Sequence, residues 1–145
     1  MKPSSSAVRV IEWDELPPSV RQIPEGYNPI ANGLLMAHQV DWLNIRAQIK
    51  LCEKGRRPGI TFVEALDSVI TAASQKAAGG MDCFYIGDTK EKGLEFIGYC
   101  AKFSRVMAEA QASGVSEIEE FLFEDQDESG NTRQINAYRI RYASG

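Results

Sequence analysis

The segment 52–61, CEKGRRPGIT, holds the residues of this chain whose types and spacing best suit the binding of an anion. Arg56 and Arg57 precede Thr61, which starts a helical pattern. A helix N-terminus presents free backbone N–H groups and the positive end of the helix dipole. The segment lacks the Gly-Lys-Ser/Thr ending of a Walker A motif and does not match G-x-G-x-x-G. It is a candidate anion- or nucleotide-binding loop at 55–61, although the simpler interpretation is a helix–helix connection with solvated arginines.

His38 is the only histidine, which restricts acid–base and metal chemistry. It could act as a general base only beside a nucleophilic thiol. Cys52 lies 14 residues further along the same predicted helix, about 21 Å away. Cys83 and Cys100 carry no nucleophile motif, and the spacing of zinc ligands is absent. We expect a hydrogen-bonded His38 in the core, keep it as a candidate ligand contact, and expect no catalytic residue, metal or cofactor.

The stretch DQDESGN, 125–131, resembles the first half of a calcium-binding loop. The twelfth position is Asn136, where a bidentate carboxylate is needed, and a strand-like pattern follows instead of a helix. Glycine and asparagine tolerate positive φ and therefore suit a hairpin turn. We interpret the stretch as a turn with Ser129 and Gly130 at its tip.

The C-terminal segment 117–143 alternates with period two on both sides of this turn. The first half is acidic and the second half carries arginines, so folding one strand on the other brings opposite charges together. A two-residue loop would place Phe121 opposite Tyr138 and Glu120 opposite Arg139. The pattern predicts a hairpin, although a capping box at 116–119 leaves a helical start open.

Aromatic residues and arginines are interleaved in NAYRIRY, 136–142, as in some nucleic-acid-binding surfaces. In a strand, however, Tyr138 and Tyr142 share one face while Arg139 and Arg141 share the other. Base stacking and phosphate contact would then come from opposite sides of the sheet. We therefore do not expect nucleic acid as a partner.

Composition places the chain among globular proteins: 145 residues, 43% hydrophobic, 25% charged and a net charge of −4. No apolar run is long enough for a membrane span or a signal peptide. The three cysteines are an odd number without CxxC spacing, which indicates reduced thiols. We expect a cytoplasmic protein with a disordered N-terminus at 1–6 and one domain at 7–145.

The periodicity predicts an α+β fold: a mostly antiparallel sheet of about four strands with three helices on one face, in the order β-α-α-β-α-β-β. Thr61 and Glu64 form a capping box for the second helix. The predicted elements are a strand at 8–13, helices at 30–52, 61–78 and 89–113, a strand at 81–88, and the hairpin.

Because no catalytic constellation stands out, we expect a non-enzymatic protein-binding module: an adaptor, an inhibitor or a subunit of a larger assembly. The apolar groups of 14–29, among them Leu16, Val20, Ile23 and Tyr27, and those of the hairpin could form an association patch. A terminal hairpin also leaves an edge strand, which suggests a homodimer. The candidate interface residues are Phe121, Phe123, Tyr138, Arg139, Arg141 and Tyr142. The alternatives are an anion or nucleotide ligand at 55–61 and a nucleic-acid-binding accessory protein.

Overall fold

The computed structural model describes residues 8–21, 33, 35–111, 118–126, 129, 130 and 132–142, and shows an α+β fold. The strands are β1 (Val8–Val10), β2 (Ile118–Gln126) and β3 (Thr132–Ile140). The helices are α1 (Pro18–Arg21), α2 (Ala37–Asn44), α3 (Ile60–Ala73) and α4 (Lys90–Gln111), with 3-10 turns at Trp13–Glu15 and Lys76–Ala78. The fold class is as predicted. The 1–6 segment lies outside the described residues. Within the described residues, no helix has the length and apolar character needed to cross a bilayer.

The sheet is antiparallel with the strand order β1-β2-β3. The hairpin register differs by one residue from the prediction, because Glu120 pairs with Tyr138 and Glu119 with Arg139. The last strand pair is Gln126 with Thr132, so the connection is longer than a two-residue loop. A longer loop shifts the partner of every residue. Charge pairing nevertheless persists, since Arg139 Nε donates to Glu119 Oε2 at 2.8 Å.

The main core lies between α3 and α4. Both helices carry apolar side chains at steps of three and four, so each has one face to bury. Phe62 packs edge-on against Tyr99 and Phe103 with ring-centroid distances of 5.4 and 4.9 Å. The buried members of this cluster are Ala65, Leu66, Val69, Phe96, Cys100 and Phe103.

A second core cluster joins the N-terminal segment to α4. Leu16 and Val20 are 2% and 0% exposed and pack at Gly98, where the missing side chain permits close approach. The prediction that Leu16 and Val20 contribute to an exposed association patch is therefore wrong. Ile23 and Tyr27 lie outside the described residues.

The predicted helix at 30–52 ends earlier in the structure, and its residues 30–32 and 34 lie outside the described residues. Helix α2 ends at Asn44, and no helix or strand follows until α3 begins at Ile60. Lys50 turns back here: its Nζ lies 3.5 Å from the Trp42 carbonyl oxygen and 3.4 Å from Asp67 Oδ2. A continued helix would carry Lys50 about 12 Å beyond Trp42, so these contacts require the chain to leave the helix.

The predicted strand at 81–88 is also absent, so the sheet has three strands among the described residues and not about four. Residues 81–87 form neither a helix nor a strand. A strand is defined by a hydrogen-bonded neighbour. None of the described residues supplies one to this segment.

Candidate functional site

The predicted anion-binding loop leads directly into the N-terminus of α3. Gly59 is the N-cap residue and has left-handed backbone angles of φ 79° and ψ 18°. Arg57 also has a positive φ of 62°. Thr61 lies inside the helix, so the predicted capping box at Thr61 and Glu64 is wrong. Because glycine has no side chain to cap the helix, its first turn keeps backbone N–H groups available to a ligand.

Two neighbouring side chains of α2 hold this loop. His38 Nε2 lies 2.7 Å from the Pro58 carbonyl oxygen, and Gln39 Nε2 donates to the Gly59 carbonyl oxygen at 2.9 Å. The Gln39 side chain also accepts a hydrogen bond from the Met36 backbone N–H. His38 is exposed, so the prediction that it lies in the core is wrong. Tertiary structure nevertheless brings it to the predicted loop.

The charges around the loop favour an anion. Arg56 and Arg57 are exposed, and neither forms an ion pair with any residue that the structure describes. The first turn of α3 contains no acidic residue. The two arginines therefore add positive charge to the segment that leads into the positive end of the helix dipole.

A second polar cluster fixes the segment between α2 and α3. Lys50 Nζ lies 5.0 Å from the Trp42 ring centroid, 3.6 Å from Glu64 Oε1 and 3.4 Å from Asp67 Oδ2. The Trp42 indole N–H donates to Glu64. Neither Lys50 nor Gln39, which is 3% exposed, is among the predicted site residues. The one signal was the pair of acids three residues apart on α3, which lie on one helical face.

A cavity of about 460 Å³ opens beside this cluster, between the end of α2 and the second half of α3. Leu43 and Ile70 contribute apolar groups, while Arg46, Asp67 and Thr71 contribute polar ones. Asp67 is already paired with Lys50. The cavity is therefore a mixed surface without a charge of either sign that dominates it.

The structure gives no support to thiol chemistry. Burial raises the pKa of Cys100 to about 12, so this thiol is protonated at neutral pH. Burial also raises the pKa of Cys83. Cys52 is exposed. Among the described residues, no group of three or more His, Cys, Asp and Glu side chains could hold a metal ion.

The candidate interface residues lie on both faces of the hairpin. The inward face carries Tyr138, next to the core, and Tyr142, whose hydroxyl lies 2.7 Å from Ser104 Oγ. On the other face Arg139 stacks over Phe121 at 4.3 Å, and Arg141 is exposed. The split between tyrosine and arginine faces follows the predicted alternation. The side chain of Phe123 lies outside the described residues.

A buried carboxylate, Glu120, links β2 to three other elements, β1, α4 and β3. Its side chain accepts from Arg9 Nε at 2.5 Å, lies 3.3 Å from Lys90 Nζ and accepts from the Tyr138 hydroxyl at 3.3 Å. Burial acts to raise the pKa of Glu120, but the hydrogen bonds from Arg9 and Lys90 outweigh it and lower the pKa below its usual value. Burial raises the pKa of Tyr138. The network is already satisfied internally and therefore serves to hold β1, α4 and the hairpin together.

Two curated proteins resemble this chain. It is 40% identical over 114 residues, or 79% of the chain, to the Mu-like prophage FluMu protein gp28 of Haemophilus influenzae. It is 36% identical over 109 residues, or 75% of the chain, to the probable terminase, large subunit gp28 of Escherichia phage Mu. The matched residues cover 21% and 19% of these relatives, so the chain spans about a fifth of their length. No family model and no solved structure matches the chain.

These similarities correct two predictions. The interpretation as an adaptor, an inhibitor or a non-enzymatic binding module is wrong, because one relative is named as a probable terminase large subunit. The expectation that nucleic acid is no partner conflicts with the same finding. The sequence analysis looked for a nucleic-acid surface only in the hairpin. The names of the two relatives do not address the predicted homodimer, so the homodimer stays a prediction.

Proposed function

We propose that this chain is part of a phage DNA-packaging protein of the terminase large-subunit type, and that its 55–61 loop binds phosphate. The observation that carries the proposal is the 36% identity over three quarters of the chain to a probable terminase large subunit. The second relative, a Mu-like prophage gp28 protein, supports the same setting. The partners would be DNA and a small terminase subunit, in the cytoplasm of the infected cell.

The geometry of the loop supports phosphate as its ligand. A terminase large subunit handles DNA, whose backbone is a chain of phosphates. The N-terminus of α3, uncapped by a side chain, offers backbone N–H groups to an anion. Arg56 and Arg57 offer planar guanidinium groups that suit phosphate oxygens.

The loop is also held in place before any ligand arrives. His38 and Gln39 bind the carbonyl oxygens of Pro58 and Gly59. These bonds orient the backbone at the start of α3, so binding need not order this part of the loop. Preorganisation of this kind increases affinity because it lowers the entropic cost of binding.

The phosphate could belong to a nucleotide or to the DNA backbone, and binding experiments separate these sources. ATP is titrated calorimetrically, and a fluorescent DNA duplex is titrated by anisotropy at several salt concentrations. For DNA, loss of two phosphate contacts reduces the slope of log affinity against log salt by about 2. If the loop binds a nucleotide instead, removal of the two arginines lowers the affinity for ATP, and DNA binding need not change.

The double substitution Arg56→Glu and Arg57→Glu tests the loop, and Arg141→Glu is the matched control at another exposed arginine. We expect the double variant to lose ATP or DNA binding and the control to retain it. Binding that is equal in both variants would assign phosphate recognition elsewhere. Failure of the unmodified chain to bind either ligand would contradict the proposed loop function.

A further inference from the structure

The least expected surface of the molecule consists of five exposed apolar side chains on two segments flanking α3. We call it the apolar face and define it by Ile49, Leu51, Met81, Phe84 and Ile86. Their exposed fractions are 79%, 91%, 64%, 90% and 94%. Single exposed apolar residues are ordinary, but a cluster of large ones indicates an interaction surface.

The two segments alternate between a side that contacts α3 or α4 and a side that faces solvent. Lys50 contacts Asp67 on α3, while its neighbours Ile49 and Leu51 face solvent. This is the side-chain alternation of a strand.

From Cys83 to Ile86, segment 81–87 follows the same rule. Cys83 Sγ lies 3.6 Å from the Ser68 carbonyl oxygen on α3, and Tyr85 stacks on Phe96 of α4 at 4.1 Å between ring centroids. Phe84 and Ile86 point the other way. Because Asp67 and Ser68 are neighbours, both segments pass the same turn of α3 and expose apolar groups on their outer sides.

The backbone of segment 81–87 also lacks strand partners. Between the described residues, no backbone hydrogen bond involves 81–87. A segment whose side chains alternate and whose backbone has no backbone partner is suited to pair with another strand. Strands that are apolar on both sides are typical of sheets that are covered on both faces.

We propose that the apolar face is an internal interface of a gp28-type protein, covered by an apolar strand from the portion that has no counterpart in this chain. This inference rests on the proposed function. The relatives supply the candidate occupant, because about four-fifths of each lies outside the matched region. The interface would make segment 81–87 one strand of a larger sheet.

The test compares the isolated chain with a full-length chimera, in which the matched residues of this chain replace the corresponding segment of Escherichia phage Mu gp28. Hydroxyl-radical footprinting with mass spectrometry reports the exposure of Met81 and Phe84 in both proteins. We expect about tenfold slower oxidation in the chimera. Val10 and Ile135, which are 43% and 50% exposed on the sheet, serve as internal controls.

A pair of double variants provides the second measurement. Phe84→Ser with Ile86→Ser is expected to leave the thermal midpoint of the isolated chain unchanged, since both side chains face solvent. The same change is expected to lower the midpoint of the chimera, whereas Val10→Ser with Ile135→Ser has an equal effect in both contexts.

Three results would overturn the proposal. The first is a chimera that does not fold, and the second is equal oxidation of Met81 and Phe84 in both proteins. The third is oxidation of these residues in the isolated chain that becomes slower as the protein concentration rises. The last would assign the face to a second copy of the chain. Phosphate binding is measured on the isolated chain with Arg56 and Arg57 changed, so failure of the interface is distinguishable from failure of the proposed function.

Discussion

The side-chain amide of Gln39 donates a 2.9 Å hydrogen bond to the carbonyl oxygen of Gly59, the N-cap residue of α3. Gln39 is buried and also accepts from the Met36 N–H. One amide thus joins the start of α2 to the start of α3. This contact leaves no room for a side chain at Gly59, because a Cβ there would lie 2.3 Å from Gln39 Nε2.

Gly59→Ala should destabilise the protein by about 1–3 kcal/mol, because alanine at φ 79° is strained and collides with Gln39. Gly55→Ala is the control, since Gly55 has open space within 4 Å. Urea unfolding gives both values. Equal effects of the two substitutions would contradict the close contact between Gln39 and Gly59.

Two glycines of α4 should respond oppositely to alanine. At Gly98 a Cβ would meet Val20 at 2.9 and 3.0 Å, and overpacking of this kind costs about 1–3 kcal/mol. At Gly93 a Cβ would lie 3.5 Å from the Tyr138 ring, an ordinary contact. Gly93→Ala should therefore stabilise by about 0.5–1 kcal/mol through helix propensity. Thermal unfolding of both variants measures their effects on stability. If Gly93→Ala destabilises the protein, that result is sufficient to refute the prediction.

Acid should weaken the protein partly through Glu120. Its pKa in the folded protein lies below the ordinary value of 4.5 because the hydrogen bonds from Arg9 and Lys90 outweigh the effect of burial. A lowered pKa contributes stability above about pH 4.5, and that contribution is lost as the pH falls through the folded-state pKa.

Glu120→Gln should therefore reduce stability at neutral pH and lose less stability on acidification than the unmodified protein. Urea unfolding at about pH 7 and about pH 3.5 measures both effects. Glu53→Gln removes a carboxylate from an exposed position and serves as the control. An unchanged acid dependence in Glu120→Gln would show that this carboxylate is not held ionised by its partners.

The three cysteines should react with a thiol reagent at three different rates. Cys52 is exposed and should react first. Cys83 is also exposed but should follow, because partial desolvation raises its pKa and lowers its thiolate fraction. Cys100 is buried with a pKa of about 12 and should react only on unfolding. Mass spectrometry of the labelled peptides gives the order of reaction. Rapid labelling of Cys100 in the folded protein would contradict its burial in the core.

Much of the architecture follows from local patterns. Helices α3 and α4 and the hairpin were predicted because apolar residues recur at the helical and strand periods. The Arg56–Arg57 loop was proposed as a site from its place before a helix, and its binding of an anion stays a prediction. The predicted hairpin register differs by one residue from the register in the structure. The length of the connecting loop sets the register, and the alternation of residue types does not reveal that length.

Local patterns are sufficient to find the amphipathic segments and the Arg56–Arg57 loop, since both depend on neighbouring residues. The folded chain was needed to show that α2 ends at Asn44, that Gln39 and His38 support the loop, and that Phe84 and Ile86 face solvent. Each of these depends on residues that are distant in the chain, such as Lys50 with Asp67 or Gln39 with Gly59. Periodicity reports which side of a segment is apolar, whereas the partner that covers that side is fixed by packing.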